Sequence, residues 1–211
     1  MTSFDELLGR AEALLAKGRR TMLGITGAPA AGKTTLAHGI ADALGTRAAV
    51  VGMDAFHLAQ VELRRLGRLE RKGAPDTFDA YGYVHLLRRL RDGEETVYAP
   101  EFRREIEEPI AGAVQVAPDV PLVVTEGNYL LLESEPWREV RGLLDEVWFL
   151  APDERERIDR LATRHRRYGR TLAEARQRAL GSDQRNADLI GPTAARADLV
   201  LENLPLANFA I

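Results

Sequence analysis

Short apolar runs alternating with stretches of helical periodicity set the frame of this chain. Phe4, Leu7, Leu8, Ala11, Leu14 and Leu15 recur at helical spacing, which predicts a helix from Ser3 to about Gly18 with Ser3 and Glu6 as a capping box. Thr21 to Thr26 reads as a strand, Lys33 to Leu44 as a helix, and Arg47 to Met53 as a second apolar run. The next stretch is polar and irregular. It holds a helix at Tyr81 to Arg91, where Val84, Leu86, Leu87 and Leu90 favour one face, a short strand at Thr96 to Tyr98, and a small hairpin within Glu105 to Val116. Pro121 to Thr125 and Glu146 to Leu150 are continuous apolar strands. An Arg-rich helix from Pro152 to about Tyr168, a helix from Thr171 to about Arg185 and a strand at Leu199 to Glu202 follow. This alternation predicts one α/β domain over residues 1–211, a three-layer α/β/α arrangement around a mainly parallel five-stranded sheet.

Composition narrows the classes of function. The chain has 211 residues, 45% hydrophobic and 29% charged, which suits a single soluble domain. It contains no cysteine, so disulfides and thiolate metal sites are excluded and a reducing compartment fits. The acidic start, Asp5 and Glu6, lacks a signal-peptide pattern, and no run of about 18 apolar residues occurs, so a cytoplasmic protein without a membrane partner is expected. A net charge of −3 argues against nucleic acid as a partner. For assembly, a homodimer is the default expectation.

Between the first strand and its helix lies Gly27-Ala28-Pro29-Ala30-Ala31-Gly32-Lys33-Thr34, a complete G-x-x-x-x-G-K-[ST] phosphate-binding loop followed by Thr35. The glycines let backbone N–H groups turn toward phosphate oxygens, and the helix N-terminus adds its positive end. Lys33 is placed to reach the β/γ-phosphates and Thr34 to put its hydroxyl on Mg²⁺. The expected cofactors are ATP and Mg²⁺, on a P-loop NTPase fold.

In open parallel sheets, ligands sit beyond the carboxyl ends of the strands. Two further strands deliver acids there: Asp54 after the second, and Glu126 after Leu122-Val123-Val124-Thr125. Asp54 is the candidate base for an accepting hydroxyl, and Glu126 the acid that holds Mg²⁺ through water or helps hold substrate. Read alone, Asp54 also suits a helix cap and Glu126 a turn. His57 is a candidate substrate contact or a structural histidine. Arg160, Arg164, Arg166, Arg167 and Arg170 follow one another without an intervening acid, and Arg160, Arg164 and Arg167 share one helix side. That pattern suits a helical lid, about residues 160–182, closing on the nucleotide phosphates from a hinge at Tyr168-Gly169. A solvated charged face is the alternative.

These residues, together with Met53-Asp54-Ala55-Phe56-His57, Lys72-Gly73-Ala74-Pro75-Asp76-Thr77-Phe78-Asp79, Tyr98-Ala99-Pro100-Glu101-Phe102 and Thr125-Glu126-Gly127-Asn128-Tyr129, are similar to the P-loop kinases of small metabolites. That family includes uridine kinase, phosphoribulokinase and the bacterial pantothenate kinase. The nearest subgroup resembles bacterial proteins called fructose-transport-system kinases. The resemblance implies that Asp54 is the catalytic base, that residues of an insertion at about 54–116 shape the acceptor site, and that Asp79, Phe102 and Tyr129 face the acceptor. It also implies that arginines among 164–170 act on the phosphates. Where uridine kinases carry P-x-Y-D, this chain reads Pro100-Glu101-Phe102-Arg103, which speaks against uridine. Arg103 or Arg104 is then a candidate for meeting an anionic acceptor, or else lies on the surface.

The expected activity is ATP-dependent phosphorylation of an alcohol on a sugar, nucleoside or pantothenate-like compound. A nucleotide-binding switch is the alternative from another class. No N-K-x-D segment for guanine recognition exists, because the chain's lysines, Lys17, Lys33 and Lys72, lack that context.

Overall fold

The computed structural model describes residues 2–167 and 171–205. Helix α1 (Phe4–Leu15) begins with the expected capping box. Ser3 Oγ accepts from the Glu6 amide at 3.2 Å, and Glu6 Oε2 accepts from the Ser3 amide at 2.7 Å. Strand β1 (Thr21–Gly27), helix α2 (Lys33–Leu44) and strand β2 (Ala48–Gly52) fall where hydrophobic periodicity puts them. Strands β3 (Val97–Arg103) and β4 (Glu108–Val116) follow the short helix α3 (Gln60–Arg65) and the long helix α4 (Ala80–Asp92). Next come β5 (Leu122–Gly127), α5 (Val140–Leu143), β6 (Glu146–Ala151), α6 (Glu154–Arg167), α7 (Leu172–Leu180), α8 (Ser182–Ile190) and β7 (Leu199–Glu202).

The central sheet has five strands in the order β2-β5-β1-β6-β7, and every pairing in it is parallel. The inner strands are buried on both faces, which explains their unbroken apolar runs: all seven residues of β1 and all six of β5 are buried, whereas the edge strands β2 and β7 are largely half-buried or exposed. One face packs against α1 and α2 through Leu7, Ala11, Leu36 and Ile40. The other packs against α4 and the 129–144 segment through Tyr83, Leu87, Tyr129 and Trp137. Each fully buried leucine or isoleucine there contributes about 1.5–3 kcal/mol.

Three elements differ from their expected extents. The hairpin joins β3 to β4 across residues 104–107 and is not confined to 105–116. β3 runs through Pro100 because the register shifts between Ala99 and Glu101, a bulge that removes the need for the missing N–H. The helix expected over 171–185 divides at Gly181, whose φ and ψ are both −100°. Among the described residues no helix is long and apolar enough to cross a membrane.

Candidate active site

Register fixes the relative height of the loop and the two acids. Gly52 pairs with Glu126 and Thr26 with Gly127, so β2, β5 and β1 end at one level and release Asp54, Glu126 and the 27–34 loop into the same space. That space is a cavity of about 930 Å³, lined by Gly32, Lys33, Thr34, Asp54 and Glu126. His57, Lys72, Arg104, Arg160, Arg164 and Arg178 complete much of its wall.

The loop has the backbone that a phosphate cradle needs. Gly27 sits at φ 147°, and a Cβ there would lie 2.6 Å from the Leu150 carbonyl oxygen, so no other residue fits. Gly32, at φ 100°, opens α2 without a side-chain cap, which leaves the first amides of the helix available to a ligand. Lys33 Nζ donates to the Gly27 and Ala28 carbonyls, each at 3.0 Å. Burial drives its pKa down to about 8 against the attraction of Glu126 and Asp54. An ammonium that is costly to keep charged, with an open helix N-terminus beside it, fits a polyanionic ligand such as ATP.

Thr34 Oγ1 donates to Glu126 Oε1 at 3.2 Å, which joins a hydroxyl and a carboxylate as a pair of hard oxygen donors suited to Mg²⁺. Glu126 can approach because Gly52 has no side chain; a Cβ there would stand 3.3 Å from Oε1. Behind it, Tyr83 Oη and Thr125 Oγ1 meet at 2.6 Å, and Thr125 donates to the Val51 carbonyl at 2.6 Å, which holds the end of β5. Burial, with the adjacent Asp54 charge, raises the Glu126 pKa. Burial alone would raise Asp54 as well. The positive field of His57, Arg104, Lys33 and Arg164 outweighs it and holds Asp54 below the ordinary carboxylate value. Arg104 supplies a direct ion pair to Asp54 Oδ2 at 3.1 Å. Burial lowers the His57 pKa against the attraction of Asp54.

Several predicted site residues stand elsewhere. Gly27, Ala28 and Ala31 form the loop's scaffold, while Pro29, Ala30 and Thr35 reach the cavity. Asp79 is exposed and caps α4 by accepting from the Gly82 amide at 2.9 Å, so it stays out of the cavity. Tyr129 is fully buried and donates to the Gly73 carbonyl, holding the segment that follows Lys72. Phe102 and Arg103 line a smaller cavity of about 280 Å³ on the other side of Asp54 and Glu126. There Arg103 is exposed and pairs with Glu101 at 2.8 Å, so the hairpin arginine that reaches Asp54 is Arg104. His57 Nδ1 lies 2.7 Å from the Asp54 carbonyl, and its ring packs on Phe78 and Phe102 at 4.0 and 4.9 Å between centroids.

On α6 the helix phase decides which arginines face the cavity. Arg160 and Arg164, four residues apart, face the cavity, whereas Arg166 and Arg167 are exposed and do not line it. Arg170 and the expected hinge at 168–169 lie outside the described residues. Arg160 Nη1 is buried without a hydrogen-bond partner among the described residues. Sequence reasoning passed over Arg157, the most buried arginine of α6. It donates to the Pro29 carbonyl at 3.2 Å, to Glu154 at 2.6 Å and to Gln184 at 2.7 Å, tying the phosphate loop to α6 and α8. The only signal available was its place on the apolar side with Leu161, four residues later.

Comparison with known proteins identifies the family. Residues 22–210 match the Phosphoribulokinase / Uridine kinase family. A Schizosaccharomyces pombe protein provisionally named uridine kinase C227.14 is 34% identical over 98% of this chain and 93% of its own length. An ATP-dependent kinase-like protein of Aspergillus versicolor, notR', is 34% identical over 73% of this chain and 90% of its own. Among solved structures, a provisionally named fructose transport system kinase from Silicibacter sp. TM1040 superposes with a TM-score of 0.85 at 34% identity, covering 95% of this chain and all of the other. The chain therefore belongs to the phosphoribulokinase and uridine kinase family, whose members are ATP-dependent small-molecule kinases, and it is a phosphotransferase that acts on an alcohol group.

Proposed function

We propose that this enzyme moves the γ-phosphoryl group of ATP, with Mg²⁺, to a hydroxyl of a sugar, nucleoside or pantothenate-like metabolite, and that Asp54 is the base. The observation that carries the reading is the convergence of Asp54, the Thr34–Glu126 pair and Lys33 on one cavity. Asp54, kept ionised by its neighbours, accepts the hydroxyl proton as the oxygen attacks in line. Lys33 and the amides at the start of α2 bind the phosphates, and Arg160 and Arg164 neutralise charge that develops on the transferred group. Thr34 and Glu126 are the residues that would hold Mg²⁺, which would supply positive charge to offset that of the phosphates. α6 and α7 form the lid over the phosphates, and the 54–116 insertion forms the acceptor side.

The test is acceptor-dependent ADP release over a panel of alcohols, repeated with Lys33→Ala and Asp54→Asn. Both variants should stay folded and lose about 10²–10⁴ in kcat. An Asp54→Asn enzyme that phosphorylates its acceptor at the wild-type rate removes the base assignment.

A further inference from the structure

Side-chain hydrogen bonds link α8 to both loops that frame the cavity, the phosphate loop and the segment after Lys72. Gln184 accepts from Arg157, the arginine that also donates to the Pro29 carbonyl. Asp183 Oδ2 lies 2.7 Å from His165 Nε2, which ties α8 to the helix that carries Arg160 and Arg164. Asn186, one turn further on and buried, donates from Nδ2 to the Gly73 carbonyl at 3.2 Å. Tyr129 Oη donates to the same oxygen, so both of its lone pairs are used. From Gly73 the hydrogen bonds run on toward the base. The Gly73 amide donates to Thr77 Oγ1 at 3.0 Å, and that hydroxyl donates to the Ala74 carbonyl at 2.7 Å, which closes residues 73–77 into a turn. Thr77 is fully buried. Its carbonyl accepts from the Leu58 amide at 2.9 Å, and the Asp79 amide donates to the Phe56 carbonyl at 2.8 Å, so residues 56–58 and 77–79 pair around an antiparallel bridge between His57 and Phe78. The His57 amide and ring both meet the Asp54 carbonyl, at 3.1 and 2.7 Å.

The geometry points to Asn186 as a positioning residue for Asp54: through Gly73, Thr77 and the bridge at His57 it fixes the segment that carries the base relative to the lid helices that carry Arg160 and Arg164. The inference rests on Asp54 being the base of the kinase reading and gives α8 a part in the reaction. In-line transfer needs base, hydroxyl and phosphoryl group held together, and a displacement of about 1 Å at one of them can cost about a hundredfold in rate. Asp54 and the lid arginines stand on separate segments of chain. A hydrogen-bonded path between those segments sets their spacing before any substrate arrives. Asn186 borders the cavity, yet its amide is committed to Gly73, and a buried amide that gives up such a bond has no water to replace it.

Hydrogen–deuterium exchange on the nucleotide-free protein tests the path without an acceptor. Asn186→Leu should speed exchange at the Leu58, Gly73, Thr77 and Asp79 amides about 3–10-fold, the worth of one neutral hydrogen bond, while the Ala31 and Leu36 amides of the phosphate loop stay within about twofold. Thr77→Val keeps the shape and removes the hydroxyl, so it should loosen the same amides from the other end of the path, and Thr77→Ser should restore much of the protection. Kinetics are read with ATP and whichever of fructose, ribose, uridine, pantothenate and glycerate turns over fastest. Asn186→Leu should lower kcat about 3–10-fold with the KM for ATP within about twofold. In an Asp54→Asn background it should change the residual rate by less than about twofold, because a residue that acts through the base then has nothing left to position. Unchanged exchange in the 58–79 amides overturns the proposal, as does an equal rise in the phosphate loop or a loss that adds in full to that of Asp54→Asn. An effect confined to the KM of the alcohol also overturns it and makes Asn186 a direct substrate contact. Failure of the kinase reading looks different: ATP then does not bind, or Asp54→Asn alone keeps the wild-type rate.

Discussion

Replacing Lys33 with methionine separates what the phosphate site costs from what it does. Lys33 is 8% exposed, and burial brings its pKa from 10.5 to about 8. At 1.36 kcal/mol per pH unit, that difference sets about 3 kcal/mol against the protonated form in the nucleotide-free protein. Methionine removes this penalty at pH 7 but also two hydrogen bonds, to the Gly27 and Ala28 carbonyls, of about 1 kcal/mol each. Lys33→Met should therefore be more stable than the wild type by about 1 kcal/mol at pH 7, while it loses ATP affinity. The folded-state pKa lies below the unfolded one, so between about pH 8 and 10.5 the unfolded wild type binds more protons and the wild type gains stability with pH. Across that window the variant's advantage should shrink by about 3 kcal/mol and become a deficit of about 2 kcal/mol. Urea unfolding of both proteins at several pH values, without nucleotide, measures this directly, because titrations common to both cancel in the difference. A difference that stays flat from neutral pH to about 10 refutes the account of a buried, destabilised ammonium.

Gly27→Ala should cost at least about 2 kcal/mol and weaken nucleotide binding, since its φ of 147° is strained for alanine and the Cβ meets a backbone oxygen that cannot move aside; thermal unfolding and nucleotide titration check both. Arg157→Met should destabilise by about 1–3 kcal/mol and raise the KM for ATP, because it frees the Pro29 carbonyl from α6; an unchanged KM would show that the loop holds its shape alone. Arg104→Gln removes one of the cations that hold Asp54 low, leaving His57, Lys33 and Arg164, so the acidic limb of the kcat/KM profile should move to higher pH. A limb that does not move would detach Arg104 from the base.

How much was legible in the sequence follows from the range of the interactions involved. The phosphate loop is local: its glycines, lysine and threonine carry their backbone and chemical requirements within eight positions. β1 and β5 are buried along their whole length, and the edge strand β2, though mostly half-buried, is also an unbroken apolar run, so the ends that release Asp54 and Glu126 could be found without knowing the strand order. The break at Gly181 was not legible, because Ala175 and Ala179 of α7 and Ala187 and Ile190 of α8 extend one apolar pattern across it. α3 was missed because Leu63 is its sole buried residue.

The proposed acceptor side was the least readable part, since it is assembled from segments that meet only in three dimensions. Asp79 and Tyr129 stand in the right stretches of chain, yet one caps a helix and the other is buried on Gly73. Arg103 and Arg104 are adjacent, and the hairpin turn alone sends the first to Glu101 and the second to Asp54. By itself, then, the sequence determined the parallel α/β frame, the triphosphate cradle and the two acids beside it, because each is encoded by short-range pattern. Which arginines face the cavity, and that Lys72 and Arg178 share a wall of it though 106 residues apart, was decided by packing, since charge recognition depends on side-chain direction that no spacing along the chain specifies.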